Sequence, residues 1–466
     1  MNKMSSNISS KIYYYSLIYI AVTIPFQLKF LPFSLGIIAV GLLWIFGGNL
    51  SQKIKKFIAN PYAILMSGLY LFYLISLLYS ENTTYGFNDL VLKLPLILLP
   101  LFLSTTEKLK VSQYHSILKI FAISTFFATI ITLIIAYYNY LQTGLLKYFF
   151  YHELTIFMHS AYYALYALFG IAIFIYLIHH TQKKKHKIIY ASMAFGLVVF
   201  LFFLSSRMQL LIFFLLLTVY IIAIAYQKKR ILLGVTILVL GYVFIFVLAT
   251  SLPKTSARIN QTKKHLENIN YSKTNSDARV KIWDAAFSVV KQNYLLGTGV
   301  GDVKDILIAQ YGELSEENAE EESQVKNKII EIQNNQMWLE HIQQKAKTNN
   351  ISVEDQLYLD AIYVLNANQR RYKYFIKKGY NYHGQFLQTL AAVGILGFIF
   401  LLFSIVLPAY KLGWKKQNYL LLALMFMLFT SFITESMLER QAGVIFYAFF
   451  SSLLIVTKKE ISDKSV

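Results

Sequence analysis

Long apolar runs recur along most of the chain, and a single long polar interval interrupts them. An apolar stretch of about 18 or more residues can cross a ~30 Å hydrocarbon layer as a helix. The pattern predicts about twelve such spans, near residues 12–29, 32–48, 60–80, 88–104, 114–140, 158–180, 187–204, 208–226, 231–250, 386–410, 418–436 and 440–457. We therefore expect an all-α membrane protein.

The polar interval, residues 250–388, predicts a soluble cap over the membrane helices. The expected organisation is nine spans in residues 1–250, the cap in residues 251–385, and three spans with a polar tail in residues 386–466. Residues 1–11 are short and polar, so no cleavable signal peptide is expected.

Three parts of the cap can be distinguished from its pattern. An amphipathic helix is expected over residues 278–293, because apolar side chains recur there with helical spacing at Ile282, Ala285, Ala286, Val289 and Val290. A turn-rich run follows at residues 295–302, and it is not a nucleotide-binding loop because no βαβ pattern surrounds it. The polar segment 313–374 predicts a helical hairpin.

Charge distribution predicts how the chain is oriented. The formal net charge of +20 could suggest nucleic acid, but charged residues make up 15% of the chain and gather in the short loops of one side. If the N-terminus is cytoplasmic, about twenty basic residues fall in inside loops and tails, and four fall in short outside loops, namely Lys29, Lys147, Arg207 and Arg440. This is the positive-inside bias. Both termini are expected in the cytoplasm, the cap outside, and no nucleic-acid partner.

Cysteine and metal chemistry have no support in this sequence. The chain has no cysteine, which excludes disulfides, thiol nucleophiles and cysteine metal sites. It also has no HExxH, Walker or Cys/His pattern, so we expect neither a metal nor a cofactor.

Two arginines are candidate anion ligands. Arg207 lies between two apolar spans, where it either snorkels to the membrane surface or binds an anionic head group bidentately. Arg279, with Lys281 two residues later, opens the amphipathic cap helix and alone would be an ordinary surface charge. Together, Arg207 and Arg279 could share one diphosphate.

His383 precedes the tenth span. A single histidine near a membrane interface is more often structural than catalytic, although imidazole is the side chain suited to a general base near neutral pH. Gln385 and Gln388 could hydrogen-bond a glycan. Glu435, Glu439, Arg440 and Gln441, in the last turn on that side, either pair among themselves or line the same cavity. We expect His152 and His159 to be packing or interfacial residues.

In four places the sequence resembles the O-antigen ligase and O-antigen polymerase family of bacterial membrane proteins. Ser205-Ser206-Arg207 is similar to its "S-R" motif. The resemblance continues in Arg279 to Trp283 with the run 295–301, in residues 382–388 with Gly394-Ile395-Leu396-Gly397, and in residues 434–443. Gly384 departs from the family pattern, which usually has asparagine there, and the middle of the cap looks longer than is typical.

The resemblance implies a GT-C-like membrane glycosyltransferase, located in the bacterial cytoplasmic membrane. It would catalyse a metal-independent, inverting transfer of a glycan from undecaprenyl diphosphate. Arg207 and Arg279 would hold the diphosphate, His383 would act on the acceptor hydroxyl, and Lys281, Gln385, Gln388, Glu435 and Arg440 would line the substrate site. The partners would be this donor, a glycan or lipid acceptor, and membrane lipids.

Three functions are compatible with these residues. A ligase would move the finished glycan to the lipid A core or another envelope acceptor, as in lipopolysaccharide biosynthesis. A polymerase of O-antigen or exopolysaccharide would use the same donor to join repeat units. A transporter of the lipid-linked glycan is less favoured, because transporters commonly have two related halves and broken helices at the midplane, which this sequence does not indicate.

Overall fold

The computed structural model describes residues 2–27, 32–106, 109–251, 278–316, 319–349, 351–364 and 371–457. Parts of two predicted regions lie outside the described residues, the start of the cap at 252–277 and the tail at 458–466.

A helical region coincides with each predicted span. These regions are Asn2–Thr23, Ser34–Phe46, Pro61–Ser76, Thr83–Lys93 with Pro95–Thr105, Val111–Thr143, Ser160–His180, Lys184–Leu204, Arg207–Gln227, Ile231–Ser251, Gln385–Pro408, Tyr419–Thr434 and Gln441–Ser451. Within the described residues, seven regions are long and apolar enough to cross a membrane, or eight if the bent pair Ser34–Phe46 and Leu50–Ile58 is one span. The helical membrane architecture is confirmed, whereas the number twelve stays a prediction.

The helix Gln385–Pro408 is interrupted at Gly394, whose φ of +68° is a left-handed conformation that glycine adopts without strain. The interruption leaves the carbonyl groups of Ala391 and Ala392 available to another segment. They accept hydrogen bonds from the backbone N–H groups of Thr298 at 2.7 Å and Gly299 at 3.0 Å. The turn-rich run of the cap therefore pairs directly with a broken membrane helix.

The glycines of this run allow close backbone approach. A Cβ atom on Gly297 would lie 2.5 Å from the carbonyl carbon of Ala392, and one on Gly299 would lie 2.4 Å from Oγ of Ser80. Beyond them, the carboxylate of Asp302 accepts the backbone N–H groups of Glu81 at 2.8 Å and Asn82 at 2.7 Å. The run thus fixes the cap between two membrane helices, and its glycines have a packing role.

The cap contains the helices Ala278–Gln292, Val303–Glu316, Ala319–Asn334, Gln336–Asn349, Val353–Val364 and Arg371–Lys378. The predicted amphipathic helix is confirmed, since all five of its predicted apolar positions are buried. The predicted hairpin is wrong. The region instead forms a cluster of three helices, Ala319–Asn334, Gln336–Asn349 and Val353–Val364. A second turn, near Ser352, adds the third helix, because its apolar residues complete a small core. This core consists of Val325, Ile332, Ile342, Leu357, Ala361 and Ile362.

Candidate functional site

Two of the segments that resemble family motifs, the helix that begins near Arg279 and the segment after His383, contact a short turn, residues 435–440, between the helices Tyr419–Thr434 and Gln441–Ser451. Ser436 in this turn accepts hydrogen bonds from two other segments of the chain. Its Oγ accepts the backbone N–H of Gly384 at 3.2 Å, and its carbonyl oxygen accepts the hydroxyl of Tyr162 at 3.4 Å. The turn therefore joins the segment after His383 to the helix Ser160–His180.

Arg279 reaches the same turn from the cap. Its Nη2 lies 2.8 Å from Oε1 of Glu435, with 41% of the arginine side chain and 18% of the glutamate side chain exposed. Burial raises the pKa of Glu435 above its ordinary value, and the nearby charges of Arg279 and Arg440 partly oppose that shift. The pair is a charge-assisted contact between the cap and the membrane helices.

His383 lies beside this contact in a left-handed backbone conformation, with φ of +46°. Its carbonyl oxygen accepts the indole N–H of Trp283 at 3.4 Å, and its own N–H donates to Oδ1 of Asn381 at 3.1 Å. Its ring centroid is 5.4 Å from that of Tyr380. Since Trp283 follows Arg279 by one helical turn, one face of this cap helix contacts both Glu435 and the His383 backbone.

Little space surrounds Gly384, the position at which the sequence departs from the family pattern. A Cβ atom there would lie 3.0 Å from the carbonyl oxygen of Ile433 and 3.7 Å from Nε1 of Trp283. The first distance is tighter than ordinary van der Waals contact, so a larger residue would push this segment away from the turn.

Gln385 is fully buried and uses both ends of its amide within the protein. Its Oε1 accepts the backbone N–H of Leu438 at 2.6 Å, and its Nε2 donates to Oγ1 of Thr389 at 3.1 Å. Both ends of the Gln385 amide therefore bind the chain itself, and its place in the lining of the substrate site stays a prediction. Gln388 is also buried, with 3% exposure.

Lys281 and Arg440 have different environments. Lys281 is buried, and its Nζ lies 5.8 Å from the ring centroid of Tyr372 on the helix Arg371–Lys378. Arg440 is exposed and precedes the helix Gln441–Ser451. Lys281 therefore packs between two cap helices, whereas Arg440 places a positive charge on the exposed surface of the 435–440 turn.

Arg207 begins the helix Arg207–Gln227 and is exposed. Two residues later, Nε2 of Gln209 donates to Oγ of Ser431 at 2.8 Å, one helical turn before Glu435. Arg207 therefore lies at the same end of the helices as Arg279 and His383. In the described part of the chain we find no hydrogen bond or ion pair that joins Arg207 to either of them.

His159 was expected to be a packing or interfacial residue, and its environment links it to the site. Burial, followed by repulsion from the charges of His152, Arg440, His383 and Arg279, lowers the pKa of His159 to about 4. Its Nδ1 accepts the N–H of Ala161 at 3.4 Å at the start of the helix Ser160–His180. Apart from its position at the end of a predicted span, nothing in the sequence pattern of His159 indicates this proximity.

Glu439 was selected from the sequence, but its partners Lys93 and Asp89, with which it forms a buried ion cluster, were missed. Nζ of Lys93 lies 2.6 Å from both carboxylate oxygens of Asp89 and 3.1 Å from Oε1 of Glu439. Lys93 is fully buried near the middle of the 23-residue span Thr83–Thr105. A lysine at that depth costs about 2.5–3.5 kcal/mol on insertion scales, so its charge needs these partners. The available signal was a lysine inside a predicted apolar span.

The arrangement combines a guanidinium, an imidazole and carboxylates at one end of a helical membrane protein. Such groups can bind an anionic phosphate and exchange a proton with a hydroxyl. No group of three or more side chains placed to hold a metal ion occurs in the part of the chain that the structure describes.

Comparison with known proteins gives a family match over residues 192–336, to the family model described as O-antigen ligase. This range includes Arg207, Arg279, Trp283 and the glycine-rich run, whereas His383 and Glu435 lie beyond it. No curated protein matches the chain.

Proposed function

We propose that this member of the O-antigen ligase and polymerase family is a ligase that transfers a glycan from undecaprenyl diphosphate to an envelope acceptor. The acceptor is the lipid A core or another envelope molecule, and the reaction takes place on the extracytoplasmic face of the bacterial cytoplasmic membrane. The observation that best supports the proposal is the convergence of Arg279, Glu435 and the His383 segment on one turn.

The proposed reaction is a single inverting displacement. The acceptor hydroxyl oxygen forms a bond to the anomeric carbon of the glycan, and the bond between that carbon and the diphosphate oxygen breaks. The electron pair of the broken bond leaves with the diphosphate, and the hydroxyl proton passes to the imidazole of His383. Groups placed where charge develops make the largest contribution to such catalysis.

Arg279 and Arg207 are the proposed ligands of the diphosphate. The guanidinium of Arg279 faces Glu435, whose carboxylate occupies an anion position 2.8 Å away. A diphosphate carries more negative charge than a carboxylate and offers bidentate oxygen pairs, so it can replace Glu435 on this arginine. Arg207, the first residue of the helix Arg207–Gln227, is proposed as the second cation that binds this diphosphate.

The lengths of the flanking helices suit a lipid-linked donor. Tyr419–Thr434 and Gln441–Val456 each have 16 residues, which corresponds to about 24 Å of helix, less than the ~30 Å hydrocarbon layer. If their other ends lie at the cytoplasmic surface, the 435–440 turn lies below the opposite surface. A polyprenyl chain could then stay in lipid while its diphosphate reaches Arg279.

The test of the ligase assignment is mass analysis of lipid-linked glycans in cells that lack this chain. Full-length glycan accumulating on undecaprenyl diphosphate is the expected result. Single repeat units accumulating on the carrier would instead indicate the polymerase, and an unchanged pool of lipid-linked glycan would contradict glycan transfer from this donor.

The role of His383 is tested separately with purified protein. Replacing His383 by alanine should lower turnover by about 100-fold or more, the usual contribution of a general base. The matched control is His341→Ala, since His341 is an exposed histidine of the cap, and this variant should keep its activity. Wild-type turnover in His383→Ala would contradict the assigned base.

A further inference from the structure

The buried cluster of Lys93, Asp89 and Glu439 lies next to the site without facing the proposed substrate. Asp89 and Lys93 belong to the helix Thr83–Lys93, whereas Glu439 belongs to the 435–440 turn that carries Glu435 and Ser436. The Lys93–Glu439 contact of 3.1 Å therefore connects the interior of the membrane helices to the turn that contacts Arg279.

Two chains of contacts connect Lys93 to Gln385, the second residue after His383. Next to Glu439, the N–H of Leu438 donates to Gln385 at 2.6 Å, and Gln385 donates to Thr389 at 3.1 Å. The Thr389 hydroxyl is 3.3 Å from the hydroxyl of Tyr73, whose ring centroid is 4.8 Å from Nζ of Lys93. A shift of the ammonium would therefore be transmitted to the His383 segment by two routes.

Charge explains why this lysine is held firmly. The cluster has one ammonium and two carboxylates, and all three side chains are buried or nearly so, with 0% exposure for Lys93, 9% for Asp89 and 11% for Glu439. In a poorly hydrated interior an unpaired charge is far more costly than a paired one. Lys93 therefore constrains where Glu439, and with it the turn, can lie.

We propose that Lys93 is a positioning residue for glycan transfer, which acts through Glu439 to hold the 435–440 turn in register with Arg279 and His383. This inference rests on the proposed function. Lys93 touches no substrate group in this arrangement. Its effect on the reaction is geometric, and a displacement of about 1 Å in such a site can lower turnover by about 100-fold.

The test compares two variants that each remove one carboxylate partner of the same lysine. Glu439→Gln leaves the neutral pair Lys93–Asp89 and removes the charge that attracts the ammonium to the turn, whereas Asp89→Asn leaves the neutral pair Lys93–Glu439 and keeps that attraction. Both retain a partner for the buried ammonium, which avoids the two unpaired carboxylates that Lys93→Met would create.

The assay uses the purified full-length protein with an undecaprenyl-diphosphate-linked glycan donor. Turnover is expressed per mole of protein that binds this donor, so a variant that merely folds less well does not change the value. We expect kcat to fall at least ~10-fold in Glu439→Gln and less than ~3-fold in Asp89→Asn, with the donor KM changed less than ~3-fold in both.

Equal losses of kcat in the two variants, or a loss that appears only in the amount of donor-binding protein, would overturn the positioning role. His383→Ala in the same assay separates this failure from failure of the proposed function. An inactive His383→Ala with equal Glu439→Gln and Asp89→Asn values contradicts only the role of Lys93. An active His383→Ala contradicts the proposed base itself.

Discussion

The indole nitrogen of Trp283 donates a hydrogen bond to the backbone oxygen of His383 over 3.4 Å, across 100 residues of sequence. Trp283 and Arg279 lie one turn apart on the cap helix Ala278–Gln292, so this helix contacts the histidine segment and Glu435 with the same face. The cap is therefore part of the site, and a displacement of this one helix would alter both the proposed anion ligand and the proposed base.

The first prediction concerns Arg279. Replacing it by lysine should lower kcat/KM for the lipid-linked donor by about 10-fold or more, because a single ammonium cannot reproduce the planar bidentate contact of a guanidinium. Steady-state kinetics with purified protein would measure the change. Lys291→Gln, an exposed cation near the other end of the same helix, is the control and should behave as wild type. Equal kcat/KM for Arg279→Lys and wild type would contradict a bidentate diphosphate contact.

A second prediction concerns the interruption at Gly394. Gly394 has φ of +68° and ψ of −170°, a region essentially restricted to glycine, so alanine there would cost about 1–3 kcal/mol in backbone strain, and its Cβ would lie 2.1 Å from the carbonyl oxygen of Leu295. Gly394→Ala should therefore lower the free energy of unfolding by about 2 kcal/mol or more, measured by denaturation in detergent. Gly312→Ala is the matched control.

Gly312 lies inside the cap helix Val303–Glu316, and no atom lies within 4 Å of the position its Cβ would take. Alanine should stabilise that helix by about 0.5–1 kcal/mol, since glycine is unfavourable within helices. If the Gly394→Ala protein were as stable as the Gly312→Ala protein, the backbone around Leu295 and Gly394 would have to move apart at little cost in free energy, which would contradict this prediction.

The spacing of apolar residues along the chain was sufficient to predict the helices and the buried face of the cap helix Ala278–Gln292. Burial at Ile282, Ala285 and Val289 follows directly from helical spacing, because that period is set by the backbone itself. The sequence could not predict that Gly394 interrupts its helix, since a single glycine within an apolar run is also compatible with a continuous helix. The interruption depends on the approach of Gly297 and Gly299 from the distant cap.

The site was predictable to the extent that its residues occur in recognisable motifs. Arg279, His383 and Glu435 were selected from the sequence, and the structure brings them to one turn. The burial of Gln385 and the pairing of Lys93 with Glu439 could not be predicted from the sequence, because both depend on contacts between residues at least 53 positions apart in the chain. A buried ion pair leaves no periodic signal in a sequence.

The third prediction is a pH dependence due to His159. Its folded-state pKa of about 4 is below the ordinary value of 6.5, so the unfolded chain binds this proton more readily between those values. Stability should therefore decrease as the pH falls from about 6.5 towards 4. His159→Gln should reduce the decrease in Tm over this range, whereas His341→Gln, at an exposed cap position, should not. Identical pH profiles for the two variants would contradict the environment assigned to His159.

The last prediction concerns Asp355, which connects the three-helix cluster to the helix that leads to His383. Its carboxylate accepts hydrogen bonds from Nζ of Lys377 at 2.7 Å and Lys378 at 3.1 Å. The hydrogen bond from Lys377 is the main cause that lowers the pKa of Asp355 to about 2. Because the folded-state pKa is depressed, the stabilisation is present above the unfolded value near 4 and is lost as the pH falls towards 2.

Asp355→Asn should therefore loosen the helix Arg371–Lys378 at neutral pH. A pair with an exposed lysine contributes about 0.2–1 kcal/mol, so amide hydrogen exchange in that helix should become about 1.4- to 5-fold faster. Glu354→Gln is the matched control, since Glu354 is the adjacent exposed carboxylate of the same helix, and it should leave exchange nearly unchanged. Equal exchange in Asp355→Asn and Glu354→Gln would mean that apolar packing of Tyr372 and Phe375, both buried against Tyr311, holds this helix without the ion pairs.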